Sequence, residues 1–354
     1  MQLAIVGARG SGKSTLFTAF TGAVPDPTAN PRDPARAQVR VRDPRLEWVR
    51  EVYDPNKFTP AAIDVLDFPG LPDAGDMSGV KLAELLAAAR EADGLIVCVR
   101  GFEDPTYPYN DPTAAPLREA DHVQSELAFA DLEVATRRVE KLERKGGNRT
   151  DTEQREFLAL GKVVTALEDG QPVKSVELTA DEEKLLRGFR FLTAKPWVLV
   201  LSQDDSDESE GVLAEVPGPF DARLAVRAKL EAEVAELDEE DRAVFMEDLG
   251  LTSLASESVL RAAFEGLGTI VFFTTGPDEC RAWPLPEGSS AVEAAGAIHS
   301  DLARGFIRAE VYHWDDLREF DGDEQAVKKA GKFRLEGKTY TVKDGDILHV
   351  RFSV

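Results

Sequence analysis

Apolar and polar residues alternate in short blocks over the first hundred positions. Apolar runs at 3–6, 37–41, 63–66 and 95–99 predict strands, and amphipathic stretches at 14–20, 44–52 and 80–92 predict helices. This alternation predicts a parallel sheet with crossover helices. Pro25, Pro27, Pro31 and Pro34 exclude regular structure between them. Beyond Val99 the alternation stops. Two long helical patterns, 121–145 and 151–166, flank Gly146-Gly147 and predict a helical hairpin. A third helix at 180–189 opens behind Thr179, with Glu182 at the capping-box position. Lys195-Pro196 introduces a return strand at 198–201, residues 205–220 read as acidic loop, and a helical pattern runs over 221–249. From Gly268 onward short strands are expected at 269–274, 306–312, 338–342 and 347–353, forming a small α+β domain.

The first apolar run enters Gly7-Ala8-Arg9-Gly10-Ser11-Gly12-Lys13-Ser14, a complete G-x-x-x-x-G-K-S sequence followed by a helical pattern. Glycines at this spacing let backbone N–H groups turn inward around a polyphosphate, and the helix start adds its positive end. Lys13 is expected to reach the β/γ oxygens and the Ser14 hydroxyl to ligate Mg²⁺, with Thr15 completing the nucleotide-binding set. Asp67-Phe68-Pro69-Gly70 ends the run 63–66 as a D-x-x-G, giving Asp67 to the Mg²⁺ shell and the Gly70 amide to the γ-phosphate. Leu71 stands where Ras-like enzymes place a water-orienting Gln, so hydrolysis is expected to be slow, assisted from elsewhere, or absent. After 198–201 the base-reading loop is Ser202-Gln203-Asp204-Asp205 in place of N-K-x-D. Ser202 and Asp205 are its candidate contacts, Asp205 as an acceptor from the base; the alternative is an acidic surface turn. Arg9 can lie against the γ-phosphate, making with Lys13 the candidate catalytic pair, or point to solvent or an acidic neighbour.

The 354 residues are too many for one ordinary domain, and 43% apolar content supports real cores. No run of about 18 apolar residues exists to span a membrane. Met1 leads almost directly into the first strand, leaving no room for a signal peptide. Two cysteines, Cys98 and Cys280, exclude a disulfide framework and fit a reduced cytoplasm. A net charge of −23 argues against generic nucleic-acid binding, DNA included, so any RNA contact requires local basic patches. Within 137–149, Arg137, Arg138, Lys141, Arg144, Lys145 and Arg149 face Glu140 and Glu143, an excess of +4 at the hairpin tip. Lys328, Lys329, Lys332 and Arg334 form a second cluster; a solvated face is the plain alternative for both. His122, His299, His313 and His349 lack metal-ligand spacing.

Longer strings add a family likeness. Asp43-Pro44-Arg45-Leu46, Gly101-Phe102-Glu103-Asp104 and Leu192-Thr193-Ala194-Lys195-Pro196 are joined by Phe272-Phe273-Thr274-Thr275-Gly276-Pro277, Arg281-Ala282-Trp283, Gly305-Phe306-Ile307-Arg308-Ala309-Glu310-Val311 and Asp344-Gly345-Asp346. In these the chain resembles the YchF subfamily of Obg-related P-loop nucleotidases over nearly its whole length. The resemblance implies an α/β fold: a P-loop NTPase (Ras-like G domain) with a parallel sheet at 1–112 and 191–266, an inserted coiled-coil arm at 113–190, and a β-grasp TGS domain at 267–354. It also implies ribosome association, preference for ATP over GTP, and an apolar residue such as Leu71 in place of the catalytic Gln.

The departures from that family sit in the loops. Its members read G-L-P-N-V-G-K-S where this chain has Ala8-Arg9-Gly10-Ser11, and Gly10 replaces the Asn associated with monovalent-cation activation. Ser202-Gln203-Asp204-Asp205 replaces N-x-x-E. The first-switch Thr falls near Pro31, with Thr28 the only nearby hydroxyl. The chain thus looks like a diverged paralogue. The expected function is slow Mg²⁺-dependent hydrolysis of ATP or GTP, with ribosome or ribosomal-RNA contact through the basic arm tip and TGS domain. The alternative is a nucleotide-gated adaptor with weak or no catalysis.

Overall fold

The computed structural model describes residues 1–25, 34–72, 85–108, 115–204 and 210–353. Thr28, Pro31, Asp205 and the start of the expected helix at 80–92 lie outside these residues. The chain divides into two units: Met1–Val39 with Asp64–Gly266, and Arg40–Ile63 with Leu267–Val354.

The strands are β1 (Gln2–Val6), β2 (Ala35–Val41), β3 (Lys57–Thr59), β4 (Ala61–Asp67), β5 (Gly94–Gly101), β6 (Trp197–Gln203), β7 (Ala222–Val226), β8 (Thr269–Thr274), β9 (Glu279–Pro286), β10 (Phe306–His313), β11 (Arg334–Glu336) and β12 (Asp346–Phe352). The helices used below are α1 (Lys13–Thr21), α2 (Pro44–Tyr53), α3 (Ala87–Glu91), α4 (Ala115–Glu143), α5 (Asp151–Glu168), α6 (Ala180–Leu186), α7 (Glu210–Glu215) and α8 (Ala228–Glu236).

The first unit is built on a six-stranded sheet in the order β2-β4-β1-β5-β6-β7. β1 pairs in parallel with β4 and β5, β5 with β6, and β6 with β7. β5 and β6 are apolar almost throughout and buried, as strands covered on both faces must be. Two expectations fail here. Residues 222–226, expected as helix, form β7, which pairs in parallel with β6 before the amphipathic pattern of α8 begins. Residues 210–215, expected as loop, form α7.

The hairpin arm is α4 and α5 joined by a 3-10 turn at Gly146–Asn148. Its own core holds Ala135, Leu142, Leu160 and Val163. Thr150 with Glu153 and Thr179 with Glu182 both form complete capping boxes. The arm's base is fixed by Asp131, fully buried on α4. Its carboxylate accepts from the Arg90 guanidinium at 2.5 Å, from the Leu192 and Thr193 amides at 3.0 and 2.8 Å, and from the Thr193 hydroxyl at 2.9 Å.

The second unit has the sheet order β11-β10-β12-β8-β9-β3. The β8–β9 hairpin is antiparallel, β12 lies parallel to β8, and β10 is antiparallel to β12, which is the β-grasp arrangement. Helix residues Ala291, Ala294 and Ala295 pack on Phe272, Leu285, Val311 and Leu348. β9 is unanticipated. The strand expected at 338–342 is instead β11 at 334–336 followed by a turn and a single bridge between Ser290 and Thr341. Residues 40–63, read as part of the nucleotide domain, belong to this unit. β3 extends the sheet in parallel beside β9. Arg45 on α2 bonds Asp43 and Asp344 and lies 5.3 Å over the Phe273 ring. Trp48 meets Trp314 edge-on at 5.9 Å, and the Tyr53 hydroxyl donates to Glu324 at 2.5 Å.

Asp131→Ala removes the acceptor for a buried guanidinium and two buried amides. Stability of the first unit is expected to fall by about 3–5 kcal/mol, read by calorimetry as a lower unfolding temperature; an unchanged transition contradicts the anchoring role.

Candidate nucleotide-binding site

The phosphate loop crosses the carboxyl end of β1 between β4 and β5. Gly10 and Gly12 take left-handed φ of 75° and 90°, which residues with a Cβ rarely adopt. Space forbids a side chain as well. A Cβ on Gly12 would stand 2.5 Å from Ser202 Oγ, and one on Gly10 would stand 2.6 Å from the Tyr107 ring. The D-x-x-G segment lies directly against the loop. Gly70 is so near the Arg9 backbone that a Cβ would come within 2.8 Å of Arg9 Cα, and the Leu71 amide donates to Gly7 O at 3.0 Å.

Lys13 is buried, and its Nζ donates to Ala8 O at 2.6 Å. Burial holds its pKa below the ordinary lysine value, against the opposing pull of Asp67 and Glu119. Ser14 Oγ donates to Asp67 Oδ2 at 2.7 Å, while Asp67 Oδ1 is buried with no hydrogen-bond partner among the described residues. Burial raises the Asp67 pKa, and the Ser14 bond and Lys13 charge only partly offset it. Ser11 Oγ is likewise buried and without a partner. An ammonium, an orphaned carboxylate oxygen and a hydroxyl on one helix start make a site suited to a phosphate with a hard, oxygen-seeking divalent cation.

Beside the loop opens a cleft of about 400 Å³ lined by Gly12, Thr15, Phe102, Ser202, Lys229 and Leu230, among others. Sequence reasoning identified Thr15 and Ser202 but missed Phe102, Lys229 and Leu230. The string Gly101-Phe102-Glu103-Asp104 was visible but carried no sign of which side chain faces the cleft, and Lys229 arrives only because β7 is a strand. Tyr107 was also missed. Its carbonyl accepts from Arg100 Nη1 at 2.7 Å, and Arg100 is itself buried against Glu119. The site thus gathers Gly7, Ala8, Arg9, Gly10, Ser11, Gly12, Lys13, Ser14, Thr15, Asp67, Gly70 and Ser202. Leu71, 2% exposed, is packed into the core.

The arm tip is less cationic than its sequence suggests. Arg138 makes a bidentate pair with Glu156, Lys145 pairs with Glu153, and Arg137 and Arg144 pair with Glu133 and Glu140 one turn back. Arg149 bonds Leu142 O and stacks on Phe157 at 4.0 Å. Glu153 and Glu156 come from α5, beyond the 137–149 window, so the excess of +4 is offset in three dimensions. In the second cluster, Lys332 pairs with Asp316 and Arg334 with Asp346. Among the described residues no three-residue metal cluster of His, Cys, Asp or Glu occurs, and no helix is long and apolar enough to cross a membrane.

Comparison with known proteins agrees with this geometry. Residues 2–128 match the family described as 50S ribosome-binding GTPase, and residues 269–353 match YchF-GTPase_C, a protein family of unknown function. A Pasteurella multocida protein named Ribosome-binding ATPase YchF is 35% identical, covering 99% of this chain and 98% of that one. Its Bacillus subtilis namesake is 34% identical with the same coverage, and a rice protein (Oryza sativa subsp. japonica) named Obg-like ATPase 1 is 32% identical over 100% and 92%. The solved structure of the Schizosaccharomyces pombe YchF GTPase superposes with a TM-score of 0.83 at 26% identity, covering 99% and 97% of the two chains.

The Asp67 environment has a pH signature. Its folded pKa is raised above the unfolded value, so the stability it confers is complete below the unfolded value and is lost as pH rises through the folded one. At neutral pH, Asp67→Asn is therefore expected to raise the melting temperature of the nucleotide-free protein while weakening Mg²⁺-dependent nucleotide binding. Scanning fluorimetry with and without Mg²⁺ and nucleotide checks both; a destabilised free protein refutes it.

Proposed function

The chain belongs to the YchF family, and from that membership we propose that it is a slow, Mg²⁺-dependent hydrolase of ATP that associates with the ribosome. The observation that carries the reading is the phosphate loop with a buried Lys13 and a Ser14–Asp67 pair whose second carboxylate oxygen is orphaned. Ser14 Oγ and Asp67 would hold the Mg²⁺, which when bound offsets charge on the β- and γ-oxygens. Lys13 leaves Ala8 O and turns its ammonium to the same oxygens. The inward amides of the loop and the Gly70 amide bind the remaining phosphate oxygens. The Phe102 and Leu230 side chains pack on the base. ATP is the substrate named for the curated relatives, while Ser202-Gln203-Asp204-Asp205 fits neither familiar base-reading motif; parallel titrations with labelled ATP and GTP decide between them.

Leu71 has no group to orient a water, and its amide is held by Gly7 O. Arg9 stands in its place. Its side chain is exposed, lies against Gly70, and has no hydrogen-bond or ion-pair partner among the described residues. An arginine in that position reaches the γ-phosphate and stabilises the charge that develops there. Arg9→Ala is expected to cut single-turnover hydrolysis by roughly 10³-fold with little change in Mg²⁺·ATP affinity, whereas Lys13→Ala abolishes binding itself. Full hydrolysis by Arg9→Ala removes the finger role; full affinity in Lys13→Ala removes the nucleotide reading.

Ribosome contact through the arm tip requires its cations to exchange carboxylates for phosphates. Exposed pairs of this kind are worth about 0–1 kcal/mol, so the exchange is cheap. The carboxylates then face the RNA, and the salt dependence is shallow. Reversing Arg144 and Lys145 to Glu is expected to weaken co-sedimentation with ribosomes and flatten its salt slope by roughly two; unchanged association at low salt excludes the tip.

A further inference from the structure

A second cavity, about 690 Å³, opens at the other edge of the sheet, at the amino ends of β5 and β6. It falls within the range typical of small-molecule sites. The nucleotide reading makes no use of it, and it is larger than the base cleft. One wall is apolar: Val173, Leu178, Leu186, Phe191 and Pro196. Phe191 is buried and stacks on Phe189 at 5.3 Å. The rest is charged. Arg90, Lys174, Arg187, Arg190 and Lys195 line it with Glu91, Asp93 and Glu183. Asp131 and Asp221 pair with Arg90 and Lys174 from outside the lining, so the charges around the cavity balance, and Arg187 and Lys195 are the lining cations without an ion-pair partner among the described residues.

The cations are held in place by the fold. Lys195 Nζ donates to the carbonyls of Arg90 and Ala92 at the end of α3, so its charge meets backbone dipoles in place of a carboxylate. Burial lowers its pKa, and the Asp93 carboxylate pulls the other way. Arg190 has a left-handed backbone, φ 48°, and pairs with Glu91. Arg190 is the left-handed cap that closes the 3-10 turn Arg187–Phe189, its amide donating to Arg187 O. Arg187 is exposed and has no ion-pair partner among the described residues. Lys174 is bound to Asp221 at 3.0 Å, and Arg90 to Asp131. Leu192-Thr193-Ala194-Lys195-Pro196 is one of the strings that set this chain's family likeness, and it has no part in phosphate or base binding. It supplies Ala194, Lys195 and Pro196 to this wall.

We propose that this cavity is a binding site for a small organic anion, a molecule with a carboxylate or phosphate head and an apolar body. The head lies between Arg187 and Lys195, the lining cations without an ion-pair partner among the described residues. The body lies on Phe191, Leu178 and Leu186. The neighbouring α3 end is tied to the arm base through Arg90 and Asp131, so an occupant touches the junction of sheet and arm.

The test is methyl NMR on the full chain, with the phosphate loop first saturated by Mg²⁺ and a non-hydrolysable ATP analogue. Phenyl phosphate, phenylacetate and benzyl alcohol are titrated separately. Saturable shifts of the Ala92, Ala194 and Leu178 methyls are expected with at least one of the two anions, and their ratio tells phosphate from carboxylate. Benzyl alcohol, with the same body and no charge, is expected to bind about tenfold more weakly or worse, the worth of one charge-assisted hydrogen bond. Arg187→Glu is expected to lose at least about the same factor. Because Arg187 is exposed, this variant should keep its affinity for the ATP analogue, which shows that it is folded. Shifts scattered elsewhere, no saturation with either anion, benzyl alcohol binding as tightly as the anions, or wild-type binding by Arg187→Glu would each overturn the site.

Discussion

A lysine ammonium sealed from water, with a backbone carbonyl as its contact, is the constraint on which the rest turns. Lys13 rests on Ala8 O, and Asp67 keeps one oxygen bonded to Ser14 and the other bonded to nothing. Burial works against both charges, lowering the one pKa and raising the other. A polyphosphate carrying a divalent cation meets both needs together, so the strain of the free site becomes binding selectivity. The arrangement survives because neighbouring strands fix it from below: a Cβ on Gly7 would stand 2.3 Å from Cys98 O, and the Cys98 thiol, pushed up to about 12 by burial, stays a neutral part of the floor.

Binding and turnover are assigned to different residues. The binding set is local to the loop and the D-x-x-G. The residue after the D-x-x-G is an inward-packed leucine, and the exposed cation on the loop is Arg9. At the arm base the logic is the opposite: Asp131 is saturated by four donors, and its work is to hold two segments sixty residues apart in one register.

What could be read from the sequence was what is local in it. The phosphate loop, its strand and its helix lie within twenty residues, and their dihedral demands are written in the glycines. The capping box at Thr179 is equally local. The base cleft was not legible, since Phe102 follows β5, Ser202 lies on β6 and Lys229 on α8. β7 was read as helix because five residues are too few for a period of two to stand out beside a longer amphipathic run. The arm's charge was overcounted because Glu153 and Glu156 reach the tip only after the hairpin closes. The membership of 40–63 in the second unit was invisible because a three-residue strand such as β3 has no periodicity at all.

That last feature has a consequence for synthesis. α2 (Pro44–Tyr53) and β3 (Lys57–Thr59) are made well before β8, β9 and β12, which begin only at Thr269. At about 5–20 residues per second, the early segment waits some tens of seconds for its partners. Throughout that interval Trp48 lacks Trp314 and the β3 edge has no strand to join. The unit can close only when β9, β8 and β12 have been made, so strands far downstream decide when this early edge ceases to be a hazard for chaperones and neighbouring chains.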